Sequence, residues 1–263
     1  MQDFLFIDIP DFIPDYKIEK KYGYTKPDEK ENMKKVLSVA SKGYCMYCYA
    51  RIDVDGKNYG NLEHAIEKNN SRKLIECIPD IGISCTVCNQ SFKRIGERKR
   101  KLSQSILDRF NKNSECGGEN RKQCKVPCKA LRNLQKEYSK QEGAEIILQP
   151  MGVVGTDSGK KLKLRYNVMK MEFQPAKQDY TYSKKEMDFI NGHIQRFRLN
   201  DPQYKTRQLY NFVKSVIDNE GVLNEMEYNN LIVEIFAEKI KYKDKTEILK
   251  ICNSIYITSF LNM

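Results

Sequence analysis

Two Cys-x-x-Cys pairs, Cys45-Met-Tyr-Cys48 and Cys85-Thr-Val-Cys88, stand 36 residues apart in a chain of 263. Each pair presents two sulfurs from one tight turn, and four thiolates are what a closed structural zinc site needs. With four protein ligands the metal stabilises the fold and keeps no open position for chemistry. The alternative is two unrelated reduced thiol motifs with redox activity, but no βαβ pattern surrounds them to support thioredoxin-like chemistry. The chain has nine cysteines in all, an odd number that argues against a closed disulfide framework and for metal ligation of a subset.

Composition narrows the class. Apolar residues make up 40%, with 14 Gly and 8 Pro, which excludes a collagen and a purely disordered polymer. No apolar run reaches the roughly 18 residues of a membrane helix. The opening apolar cluster is interrupted by Asp3 and Asp8 and lacks a basic n-region, so it does not read as a signal peptide. A soluble cytoplasmic protein without membrane association is expected. The 46 Lys+Arg against 35 Asp+Glu give a net charge of +11, which biases partners towards polyanions.

The expected fold class is α+β, in four segments. Residues 1–42 form a lead-in or docking arm, with Phe4, Phe6, Ile7 and Ile9 able to make a strand. Residues 43–110 form the first domain, with Asp55-Gly56 a hairpin turn after Ile52 and Val54. Within it Phe92, Ile95, Leu102, Ile106, Leu107 and Phe110 recur at the spacing of one helix face beginning beside the second cysteine pair. Residues 111–182 read as a basic insertion and a small β region, with strands at Ile146–Leu148 and Leu162–Tyr166. Residues 183–263 read as helices, with Gly221 a stop between two of them.

The stretch between the cysteine pairs is wider than a simple four-cysteine module requires, so the extra chain should carry something. It carries Leu62-Glu63-His64, one of only two histidines, and Asn89 follows the second pair directly. Cys45-x-x-Cys48, Glu63-His64-Ala65-Ile66-Glu67-Lys68 and Cys85-x-x-Cys88-Asn89 with Lys93 downstream together resemble the HNH nuclease family. The resemblance is closest to the PtuB-like HNH proteins of Septu and related retron antiphage systems. Ile147-Leu148-Gln149-Pro150, Phe173-x-Pro175 and Phe197-Arg198-Leu199-Asn200 with Arg207 extend it in pieces to about residue 210.

The resemblance implies a zinc-braced ββα-metal HNH core followed by a mainly helical C-terminal region. It implies His64 as the general base that activates water. Glu63 and Asn89 would be the oxygen ligands of a catalytic Mg²⁺ or Mn²⁺ that holds the scissile phosphate and helps the 3′-oxygen depart, and Cys45, Cys48, Cys85 and Cys88 the ligands of the structural zinc. The middle Asn of the family signature falls at Asp80, which serves if its role is to orient the base loop through a side-chain oxygen. Glu67 replaces the usual proline. The resemblance also implies an ABC- or SMC-like ATPase partner and nucleic acid as substrate, DNA ahead of RNA. The chain has no phosphate loop of its own, so nucleotide control would have to come from that partner.

The run from Lys93 to Lys101 carries six basic residues and one acidic one. Such runs are usually solvated faces. Beside a phosphodiester site Lys93, Arg94, Arg98, Lys99, Arg100 and Lys101 are candidates for phosphate contacts. Cys116, Cys124 and Cys128 are one ligand short of a second zinc site, with Cys77 or His193 able to supply the fourth. Cys252 and His193, each among apolar residues at helical spacing, read first as packing residues.

Overall fold

A computed structural model of the chain describes residues 5–113, 124–176, 181–201, 207–223 and 228–261. The architecture is mixed α+β, with small sheets and helices packed around one continuous cluster of buried side chains running from Ile7 to Ile255. The lead-in belongs to that core: β1 (Phe6–Asp8) pairs antiparallel with β6 (Leu164–Asn167), which pairs with β7 (Glu172–Pro175) in the order β1-β6-β7. The charged stretch behind it becomes α1 (Pro27–Ala40), started by Pro27 and acidic Asp28 and Glu29, with Met33 and Leu37 buried.

Asp55 and Gly56, both at positive φ, turn the two-residue strands β2 (Asp53–Val54) and β3 (Lys57–Asn58) into the expected hairpin. β4 (Asn61–His64) and β5 (Ile81–Ser84) then pair antiparallel, in a register that sets Leu62 opposite Ile83 and His64 opposite Ile81. The single helix expected after Asn89 is broken. A wide π-helical turn at Cys88–Phe92, closed by Lys93 N–H on Cys88 O (2.9 Å), ends before Gly96, whose φ of 71° leaves the right-handed region, and a second turn at Glu97–Arg100 precedes α2 (Gln104–Lys112).

Two further expectations change. Ile146–Leu148 is buried irregular chain, not a strand, because its amide at Ile147 donates to His193 Nδ1 (3.0 Å) rather than into a ladder. Part of the expected basic insertion is α3 (Lys129–Tyr138), which buries Leu131, Leu134 and Tyr138 and packs on α2. The C-terminal helices are α4 (Lys184–Arg196), opened by a Ser183/Glu186 capping box, α5 (Arg207–Asp218), α6 (Leu231–Ile240) and α7 (Lys245–Leu261). Gly221, at φ 81°, follows α5. No helix among the described residues is long and apolar enough to cross a membrane.

Candidate functional site

The first cysteine pair sits in a tight knuckle: Cys45 N–H donates to Ala50 O and Tyr49 N–H to Cys45 O, both at 2.8 Å, with Tyr49 at φ 63°. Met46 N–H reaches Ile83 O on β5 (3.0 Å), tying the knuckle to the strand that leads to the second pair. The second knuckle begins the helical turn, where Asn89 N–H donates to Cys85 O and Cys88 N–H approaches Cys85 Sγ (3.5 Å). The four sulfurs lie within 4.8 Å of one another, and Cys48 and Cys85 are 3.8 Å apart. Tetrahedral Zn–S bonds of about 2.3 Å place sulfurs roughly 3.8 Å apart, so the cluster fits a zinc ion. Burial, joined by the neighbouring Cys48 and Cys85 sulfurs, pushes the Cys45 thiol up, a penalty that a bound cation reverses. Asn230, the N-cap of α6, bridges to Ala50, and Leu231 N–H donates to Tyr49 O (2.9 Å), so the C-terminal helices brace the outside of the same knuckle.

Beside this cluster, β4 and the helical turn line a pocket of about 360 Å³ whose walls include Glu63, His64, Asn89, Lys93 and Arg94. His64 is only 4% exposed. Its Nε2 lies 3.1 Å from Ile75 O, and a carbonyl can only accept, so Nε2 carries the proton and Nδ1 is the basic nitrogen. Burial lowers its pKa to about 4, helped by the nearby Lys93 and Lys68 charges and opposed by the Ile75 carbonyl; the ring is neutral at pH 7. Tyr24, from the lead-in, meets the imidazole edge-on at 4.7 Å. Glu76 holds that segment by accepting from Tyr24 N–H (2.7 Å), and Lys68 Nζ bonds the Tyr24 hydroxyl (2.9 Å). Sequence reasoning missed Tyr24, whose only signal was an aromatic in a charged stretch.

Asp80 is buried against the turn that follows His64. Its Oδ1 accepts from Ile66 N–H (3.0 Å) and its carbonyl from Ala65 N–H (2.7 Å), while Oδ2 is buried and makes no hydrogen bond. Burial raises its pKa well above the usual carboxylate range, against the pull of the Ile66 N–H and Lys93. A neutral aspartic acid here has the shape and acceptor of an asparagine, and its contact is the oxygen acceptance that orienting the loop requires.

The basic run divides by burial. Arg94, Arg98, Lys99 and Lys101 are exposed, with Lys99 paired to Glu142 (2.5 Å). Arg100 is fully buried: its Nε donates to Glu67 Oε1 (2.9 Å) and Tyr138 OH (3.0 Å), and its other nitrogens to Lys93 O (2.6 Å) and Ile95 O (2.8 Å). It is thus a structural cation that cannot reach a phosphate. Lys93 is 3% exposed, its ammonium bonded to Glu63 Oε1 (2.6 Å) and His64 O. Burial raises the Glu63 pKa, with Lys93 opposing.

The pocket wall gathers oxygen donors around a cation of the protein's own. Two oxygens, Glu63 Oε1 and His64 O, already converge on one cation, the Lys93 ammonium, and Asn89 lines the same wall. Oxygen donors of this kind suit Mg²⁺ or Mn²⁺. The other metal candidates fare differently. Among the described residues the four knuckle cysteines form the only group of three or more Cys, His, Asp or Glu placed to hold an ion. Cys128 caps α3, its sulfur accepting from Leu131 N–H, and Cys116 lies outside the described residues. His193 is fully buried, accepts from Ile147 N–H and packs on Phe197 at 4.7 Å; Cys252 is buried in the core. No protein-family model, no curated protein and no solved structure matches the chain.

Proposed function

We propose that the chain is a metal-dependent endonuclease of the HNH type that hydrolyses phosphodiester bonds in DNA as the effector of an antiphage defence system, working with an ABC- or SMC-like ATPase. The observation that carries the chemistry is the His64 imidazole. It is neutral, fixed through Nε2 on Ile75 O, and lines one pocket with Glu63 and Asn89 beside the cysteine cluster.

In this reading His64 Nδ1 takes a proton from water as its oxygen bonds to phosphorus, and the P–O3′ bond breaks to leave a 3′-oxygen that is protonated from solvent. Ile75 and Tyr24 hold the ring in place, and Asp80 holds the loop behind it. Arg94 at the pocket wall and Arg98, Lys99 and Lys101 beside it neutralise flanking phosphates. Glu63 and Asn89 would hold a Mg²⁺ or Mn²⁺, which would supply charge neutralisation at the scissile phosphate and the leaving oxygen. The defence role and the ATPase rest on the sequence resemblance alone.

A second reading, a zinc-braced nucleic-acid-binding or assembly subunit without catalysis, draws on the Lys93–Glu63 ion pair, which engages the carboxylate a catalytic ion needs. Cleavage of plasmid DNA and total RNA with Mg²⁺ or Mn²⁺ separates the two. Wild type should cut and His64→Ala, shown to retain zinc, should not. Binding without cutting by both proteins, with any co-purifying ATPase present, supports the second reading.

A further inference from the structure

The Lys93 ammonium lies between two carboxylates, 2.6 Å from Glu63 Oε1 and 3.8 Å from Glu67 Oε1. These two acceptors are unequal. Glu63 belongs to the proposed ion site, whereas Glu67 sits deeper, its Oε1 shared by Arg100 and Tyr138 and its Oε2 buried with no hydrogen bond. An acceptor atom buried without a partner costs free energy, so a donor that reached it would recover that cost. Lys93, Glu63 and Glu67 all line the same pocket.

We propose that Lys93 is an internal cation that holds the ion site shut, and that Glu67 is the positioning residue that receives its ammonium when a divalent ion takes Glu63. This rests on the nuclease reading of the pocket and adds a regulated step to it. A positive charge already on Glu63 repels an arriving ion and competes for its ligand oxygen. Moving Nζ the short distance towards Glu67 keeps the ammonium paired and removes the competitor. Glu63 exchanges one cation for another, so its carboxylate is never left buried without a positive partner.

Mn²⁺ binding to the zinc-loaded protein, read by electron paramagnetic resonance, tests the exchange apart from activity. Lys93→Met, which keeps the length and loses the charge, should tighten Mn²⁺ binding at least tenfold. Glu67→Gln should weaken it several-fold, and the double variant should match Lys93→Met, because without the ammonium Glu67 has nothing to receive. Lys93→Gln repeats the first arm with a polar side chain if Lys93→Met fails to fold. Mn²⁺ affinity unchanged or weakened by loss of the Lys93 charge, while Glu63→Gln still abolishes binding, overturns the exchange and leaves the nuclease reading standing. Failure of Mn²⁺ to bind wild type and Lys93→Met alike overturns the ion site itself and the exchange with it.

Discussion

His64 Nε2 faces the Ile75 carbonyl oxygen at 3.1 Å, and this one hydrogen bond decides which ring nitrogen is available to accept a proton. It also holds the ring against burial that disfavours its charged form. The pKa falls from 6.5 to about 4, so the folded state resists protonation that the unfolded chain accepts. The stabilising contribution is therefore complete above pH 6.5 and is lost as pH falls from there towards 4, a cost of ~3 kcal/mol in all. Denaturant melts of wild type and His64→Gln from pH 7.5 to 4 should show wild type losing ground over that window. Parallel pH profiles would show that the ring is solvated.

Asp80 gives the opposite sign. Its folded pKa lies well above the ordinary 3.8, so the folded protein binds the proton more tightly than the unfolded chain. Stability relative to Asp80→Asn should decline as pH rises above about 4 and level off once the folded group has ionised. At pH 7 Asp80→Asn should be as stable as wild type or more so, with cleavage retained. Asp80→Ala should lose ~1–3 kcal/mol, because the Ile66 N–H is left buried without its acceptor.

The cysteine cluster should hold one zinc per chain by elemental analysis. Cys48→Ser should release it and lower the thermal midpoint, as should a strong chelator acting on wild type, because metal-binding free energy at such a site is folding free energy. A chain that melts identically with and without zinc would show the cluster to be reduced thiols only.

Neighbours in the basic run should behave in opposite ways. Arg100→Met strands the Glu67 carboxylate among buried groups and should cost about 3–5 kcal/mol of stability. Replacing Arg94, Arg98 and Lys101 by Ala should leave the melt unchanged while flattening the salt dependence of DNA binding, by roughly 0.9 in log–log slope for each phosphate no longer neutralised. Titrations at several salt concentrations separate the two effects.

Much of this is legible in the chain itself. Paired cysteines announce a four-thiol cluster able to hold a metal because the sulfurs must come from tight turns, and Asp55-Gly56 and Ser183/Glu186 announce their turn and cap because those residue types satisfy local backbone needs. The C-terminal helices show apolar residues at three- to four-residue spacing. α1 and α3 are harder to read because few apolar residues carry their buried faces, Met33 and Leu37 in one and Leu131 and Leu134 in the other, amid many charges. The split of the basic run is hidden for a different reason. Arg100 and Lys93 are buried by partners distant in sequence, Tyr138 and Glu63, and nothing local distinguishes them from the solvated Arg98.

Anomalous scattering from a crystal soaked in Mn²⁺, recorded at the manganese and zinc edges, tests most directly whether the cysteine cluster and the pocket beside it carry a structural and a catalytic ion. The expected result is zinc at Cys45, Cys48, Cys85 and Cys88, and manganese bonded by Glu63 and Asn89 in the pocket beside His64. Zinc at the cysteines with no manganese in that pocket, and Lys93 still bonded to Glu63 at saturating Mn²⁺, would contradict it.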